Sequence, residues 1–253
     1  MEHSDGYERI GDYYDSFADN GDLPFYIEWA KKLGSPILDV AAGTCRVSIA
    51  LAKAGYEVVA LEKSQSMMNA ALKKISSLPN NVAERINLVE GDMTEFSLGR
   101  KFPLIIIPTS FGHALTTKTQ LNTLRCIKNH LSDNGIFILE LLPGAVQNEW
   151  ARFEEGPKTL SDGRIVIRKG ELKSDFMKQI MNVKLEYHVT HSDGHEEVVD
   201  VISDVAIIYN READLLLRLA GFQVIDEYGS FKSIPYDFES ARRILILKKS
   251  KEK

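Results

Sequence analysis

Four stretches of this chain carry residue types and spacings that can do chemistry. Asp39-Val40-Ala41-Ala42-Gly43-Thr44-Cys45-Arg46 sets an acidic residue ahead of a run of small ones. Small side chains let backbone N–H groups approach a ligand closely, and a turn that feeds a helix N-terminus favours negative charge. Glu62 follows 23 residues after Asp39, with Lys63 beside it. An acidic side chain at that distance can accept both hydrogen bonds of a ribose diol. Glu90-Gly91-Asp92-Met93 offers a second carboxylate, able to accept from an adenine amino group, and Pro108-Thr109-Ser110-Phe111-Gly112-His113 ends a polar stretch on a histidine. Arg46 is suited to a carboxylate partner. Taken singly, each reads equally well as packing, a helix cap or a solvated edge. In this order they describe a slot for an adenosine with a short polar tail.

The elements around them fix where they stand. Pro36–Val40, Glu57–Leu61, Ile86–Val89 and Leu104–Ile107 are short apolar runs that predict strands, and Ile136–Leu141 is a fifth. Helical spacing lies between them. Arg46–Ala54 is closed by Gly55, Ser66–Ser76 carries Met67, Met68, Ala71, Leu72 and Ile75 on one face, and Leu121, Leu124, Ile127 and Leu131 mark a third helix. Pro79-Asn80-Asn81 predicts a break and Asp133-Asn134-Gly135 a turn. Strands alternating with helices predict an α/β, doubly wound, mostly parallel sheet, with ligands at the carboxyl ends of its strands. Each of the four stretches follows a strand end.

Residues 145–210 break that rhythm. Ile165–Arg168, Met181–Thr190 and Glu197–Ile208 alternate with period two, and Asp193-Gly194 is a hairpin signal. The expectation is an antiparallel insertion forming a cap. Arg211–Ala220 returns to helix, with Leu215, Leu216 and Leu219 expected inward and Gly221 as its stop. Phe222–Glu227 and Arg243–Leu247 then close a seven-stranded sheet as an antiparallel pair. The organisation expected is a helical lid over 1–35, an α/β core over 36–144 and 211–253, and the cap between.

Bulk properties exclude several classes. Net charge is −5 and 44% of residues are hydrophobic, which argues for a globular fold and against nucleic acid as the main partner. The basic end, Lys248–Lys253, reads as a solvated terminus. Two cysteines, Cys45 and Cys126, suggest neither a disulfide framework nor a metal cluster. His188, His191 and His195 fit a polar hairpin tip better than a metal site. No apolar run is long enough for a membrane span, and the polar start, Met1–Gly6, is unlike a signal peptide, so a cytoplasmic location is expected.

Ile37–Arg46 resembles the first motif of the class I S-adenosylmethionine-dependent methyltransferases, an acidic residue followed by alternating glycines. Gly43 is the glycine retained, and Ala41 and Cys45 stand where the family has the others. The resemblance spans about 36–143 in its specific motifs and implies a Rossmann-like fold. It also implies S-adenosyl-L-methionine as cofactor and S-adenosyl-L-homocysteine as product. Asp39 would then lie near the methionine amino group, the Ala41–Cys45 backbone would line the cofactor, Glu62 would hold the ribose and Asp92 the adenine amino group. Met93 would meet the adenine ring through its backbone N–H, with Lys63, Pro108 and Thr109 completing the wall. Tyr13–Phe17, Thr109–His113 and the insertion are similar to the lid, post-strand segment and cap of small-molecule N-methyltransferases of natural products.

Methyl transfer is an in-line displacement in which alignment does most of the work. His113 is the candidate to orient an amine or take a proton, and Tyr14 the candidate to close over the site and hydrogen-bond the substrate. Cys45 reads as loop lining. The acceptor expected is a small molecule or short peptide, most simply an amine, in a protein that forms a homodimer if its insertion edges pair. Alternatives are methylation of a peptide N-terminal amine or of a hydroxyl. More distant ones are a non-catalytic cofactor-binding protein and an NAD-dependent oxidoreductase, whose G-x-G-x-x-G is lacking.

Overall fold

Strands covered on both faces must be apolar on both, and the runs at 37–40, 58–62 and 102–107 meet that requirement. In the computed structural model, which describes residues 7–143 and 148–250, they form the middle of a mixed sheet. Expectations for Met1–Gly6, for residues 144–147 at the opening of the insertion and for the last residues of the basic end lie outside the described residues.

Ahead of the sheet come α1 (Gly11–Tyr14) and α2 (Leu23–Leu33). The chain then runs β1 (Ile37–Val40), α3 (Arg46–Lys53), β2 (Val58–Glu62), α4 (Gln65–Ser76), α5 (Asn80–Ala83) and β3 (Ile86–Glu90). It continues through β4 (Phe102–Ile107), α6 (Thr117–His130) and β5 (Leu131–Leu141). Four strands follow, β6 (Trp150–Thr159), β7 (Ile165–Asp175), β8 (Ile180–Thr190) and β9 (Glu196–Ala206), then α7 (Asn210–Leu219), β10 (Phe222–Tyr228) and β11 (Arg243–Lys249).

The seven-stranded sheet has the order β10-β11-β5-β4-β1-β2-β3. β1 pairs in parallel with both β2 and β4, so the winding reverses beside it and opens the crevice where such sheets bind ligands. β11 is antiparallel to β5 and to β10, as expected of strands joined without a helix. Alternate residues serve opposite faces. Leu38, Val40, Ile105 and Ile107 pack with Leu124, Ile127, Leu216 and Leu217, whereas Ile37, Leu104 and Ile106 pack with Phe25, Tyr26 and Leu51.

The second sheet is fully antiparallel, β6-β7-β8-β9. Its inner face presents Val166, Leu185, Tyr187, Val189 and Val201, packed on Ile10 and Tyr13 of the N-terminal segment and on Met67 of α4. Residues 7–18 thus form a strap between the two sheets. Gly11 lets the strap lie against α4: a Cβ there would come within 2.4 Å of the Ser66 carbonyl oxygen.

Several sequence expectations need correction. Leu215 and Leu219 point to water, 59% and 74% exposed, while Ala213, Leu216 and Leu217 face the core. Positions 213, 216, 217 and 220 share one helical stripe, and the outer leucines fall off it. Leu72 likewise leaves the buried face of α4. Asp133-Asn134-Gly135 lies within β5 as a bulge, since Phe102 pairs with Leu131 but Leu104 with Ile136. Leu131 accordingly begins a strand instead of ending a helix, and the break at Pro79 opens the short α5. β6 has no counterpart among the expected strands. Among the described residues no helix is long and apolar enough to cross a membrane.

Candidate active site

The loop between β1 and α3 must turn sharply to start a helix against the sheet. It does so with Ala41, Gly43 and Cys45 all at positive φ, 55°, 57° and 60°, a region where only glycine is unstrained. The two Cβ atoms at the family's glycine positions have different fates. Cys45 is turned inward beside Ala60 and Ala71, and burial pushes its thiol up to about 12. Its side chain therefore leaves the ligand side of the loop free. Ala41 stays on that side, as does Gly43, where an added Cβ would meet nothing within 4 Å.

Above this loop lies a cavity of about 960 Å³, bounded by the ends of β1, β2, β4 and β5, the strap, β9 and the β10–β11 loop. That volume is at the upper end for ligand clefts. Ten of the candidate residues line it: Asp39, Ala41, Gly43, Arg46, Glu62, Lys63, Pro108, Thr109, His113 and Tyr14. Asp92 and Met93 stand off its wall. The Asp92 carboxylate accepts from the Thr94 N–H at 2.8 Å, the Thr94 hydroxyl at 2.7 Å and Lys63 at 2.9 Å, and Met93 is buried in the core beneath.

Glu62 is 8% exposed. One of its oxygens accepts the Gly43 N–H at 2.7 Å and the other those of Lys63 and Ser64 at 2.9 and 2.8 Å. Ser64 in turn caps α4 by accepting the Met67 N–H. Asp39 is fully enclosed. Its Oδ2 accepts the Ser48 hydroxyl at 2.6 Å, its Oδ1 has no partner among the described residues, and burial raises its carboxyl to about 7. An orphaned carboxylate oxygen on the cavity wall calls for a donor or a cation. With the open space over Gly43, it fits an S-adenosylmethionine molecule with its amino group and sulfonium.

Arg46 is committed to a residue outside the sequence-based set. Asp22, at the start of α2, grips it with both oxygens at 2.6 Å. Glu140, at the end of β5 and 2% exposed, accepts the Thr109 hydroxyl at 2.7 Å and is paired with Arg242. Burial holds the Glu140 carboxyl above its ordinary range. Arg242 also lies over the Phe231 ring, 4.7 Å from its centroid. A lone acid inside the apolar run Phe137–Leu142 was a signal for Glu140. Asp22, Phe231 and Arg242 lie too far from the motifs in sequence to be linked to them without the fold.

The strap supplies the roof. Glu8 accepts the N–H groups of Gln65 and Ser66, both at 3.0 Å, and Asp15 accepts the Thr44 hydroxyl at 2.6 Å while pairing with Lys74. Tyr7 stands edge-on to Tyr14 at 5.7 Å and to His113 at 5.2 Å. Burial raises the Tyr14 hydroxyl and lowers the His113 imidazole, the latter opposed by a hydrogen bond to the Asp204 backbone carbonyl of β9.

Residues 38–137 match the model of a methyltransferase domain. Along 232 residues the chain is 26% identical to a dTDP-3-amino-3,4,6-trideoxy-α-D-glucopyranose N,N-dimethyltransferase of Streptomyces venezuelae, covering 88% of this chain and 91% of that one. It is 24% identical to the cypemycin N-terminal methyltransferase of a Streptomyces species, over 85% and 84% of the two chains. The solved CcbJ methyltransferase from Streptomyces caelestis superposes with a TM-score of 0.78 at 21% identity, covering 99% of this chain and 100% of that one. Fold, cavity and matched domain agree: residues 38–137 carry a methyltransferase domain, and the chain is similar over most of its length to S-adenosylmethionine-dependent methyltransferases.

Proposed function

We propose that this enzyme methylates an amine nitrogen on a small natural-product acceptor, such as an amino sugar or the free N-terminus of a short peptide. The observation that carries this reading is one cavity lined both by the buried carboxyl groups of Asp39 and Glu62 and by the His113 imidazole, whose pKa burial lowers. The names of two relatives, which act on an amino sugar and on a peptide N-terminus, point the same way.

Asp39, the Ala41–Gly43 backbone and Glu62 are the residues to hold the cofactor. S-adenosylmethionine supplies a methyl group on a sulfonium, which departs as a neutral thioether and needs no acid. The protein's share is alignment, exclusion of water and management of one proton. Tyr7 and Tyr14 of the strap, with β9, cover the acceptor end. A His113 N–H donated to the Asp204 carbonyl leaves the second ring nitrogen bare, and its lowered pKa keeps it so at neutral pH. That nitrogen takes a proton from an arriving ammonium and frees the lone pair. A hydroxyl acceptor asks for removal of a far less acidic proton, for which a weakened imidazole is a poor base.

The test is radiolabelled S-adenosylmethionine offered with an aminodeoxy sugar and its hydroxyl counterpart, and with a peptide bearing a free or acetylated N-terminus. Label should pass to the free amines alone. Equal labelling of the hydroxyl counterparts would overturn the amine assignment.

A further inference from the structure

The charge on the cavity wall deepens this reading, on which it rests, and narrows the acceptor. Seven of the lining residues are acidic and three are cationic. Each of the three cations is already matched at contact distance by a carboxylate: Arg46 by Asp22, Lys63 by Asp92 and Arg242 by Glu140. Among the described lining residues no cationic charge is left over.

We infer that the acceptor is a cationic amine carrying no phosphate or diphosphate. A diphosphate would enter a chamber whose net charge is negative. To win either guanidinium it would have to displace Asp22, 8% exposed at its side chain, or Glu140, 1% exposed, and the third cation, Lys63, is 76% exposed and screened by water. Removing one partner of a buried pair leaves a carboxylate uncompensated in a poorly solvated place. An ammonium meets the opposite situation, because the carboxylates outnumber the cations and the field along the entry path draws it in. The apolar patches of the wall, Leu115, Ile202 and Phe231, suit the uncharged body of such a molecule. This separates the chain from the first relative's substrate, which its name gives as a dTDP-linked sugar.

The experiment is calorimetric titration of the S-adenosylhomocysteine-loaded protein with spermidine, inorganic pyrophosphate and thymidine diphosphate at low ionic strength. Spermidine should bind at least tenfold more tightly than either phosphate compound. Equal or tighter binding of pyrophosphate or thymidine diphosphate, or no binding of spermidine, would overturn the inference. Glu140→Gln releases Arg242 from its counter-charge while keeping an acceptor for Thr109, and should raise pyrophosphate affinity at least tenfold. Asp22→Asn should do the same through Arg46. Unchanged phosphate affinity in both folded variants also counts against the inference. The underlying reading fails separately: if thymidine diphosphate binds and a diphosphate-linked amino sugar is N-methylated, amine methylation stands and the charge argument falls. Label passing to hydroxyl compounds as readily as to amines would sink the reading itself.

Discussion

The Glu62 carboxylate accepts the Gly43 N–H at 2.7 Å, tying the tip of β2 to the loop after β1. Two elements 19 residues apart in sequence thereby share one hydrogen bond at the floor of the cavity. The same carboxylate orders the start of α4 through Lys63 and Ser64. The proposed sugar-binding group also sets the shape of the loop beside it.

Glu62→Ala should raise the dissociation constant of S-adenosylhomocysteine by about 100-fold, since a charge-assisted hydrogen bond contributes roughly 1.5–3 kcal/mol and three backbone donors lose their acceptor. Glu62→Gln should cost about tenfold. Asp92→Ala should cost less than either, because Asp92 stands off the cavity wall in a half-exposed pair with Lys63. Titration calorimetry ranks the three.

The stability of the ligand-free protein should fall as pH rises through the range set by Asp39. Its folded carboxyl is raised from 3.8 to about 7, so the native state holds a proton that the unfolded state gives up above about pH 4. The contribution is complete below the unfolded value and lost as pH climbs through the folded one. Asp39→Asn should therefore match the parent in urea unfolding at pH 4 and exceed it at pH 8, by on the order of 4 kcal/mol. Cofactor affinity of the parent should rise over the same interval, as the ionised carboxylate becomes available to a cation.

Gly112→Ala should impair turnover from beneath His113. An added Cβ would lie 2.6 Å from Val205 Cγ1 and 3.2 Å from the Ala206 carbonyl oxygen, forcing β9 away from the histidine it orients. The maximal rate should drop at least tenfold with cofactor affinity nearly unchanged. His113→Ala should give the same split. Loss of cofactor binding in the His113 variant would show that its role had been misassigned.

Gly11→Ala should loosen the strap. The clash with the Ser66 carbonyl falls on backbone, which yields only if α1 lifts from α4. Limited proteolysis should then cut within residues 7–18 faster than in the parent, and hydrogen exchange at Gln65 and Ser66, which Glu8 shields, should quicken.

The strands of the main sheet were legible because a strand covered on both faces is a bare apolar run, and turn residues bound it on either side. The loop at 41–45 was legible for a similar reason, since few other tasks ask for so many small residues in succession. Other features were hidden by degeneracy. Three adjacent leucines, 215–217, leave the phase of α7 undetermined until Ala213 and Ala220 are seen to complete the stripe. β6 lies at a sheet edge, and its charges and Gly156-Pro157 break any alternation. The partners Asp22 of Arg46 and Arg242 of Glu140 are separated by 24 and 102 residues, and nothing local announces such pairs. Glu140 itself was visible as an anomaly without a meaning.

The strap is a shared wall, touched by α4 on one side and by the β6–β9 sheet on the other. A protein shortened past Phe17 would not simply be an enzyme with its door removed. Val166, Leu185, Tyr187, Val189 and Val201 would face solvent together, and an oily surface of that kind gathers copies into aggregates. Trimming the front of this chain should register first as poor solubility, well before any change in chemistry can be measured.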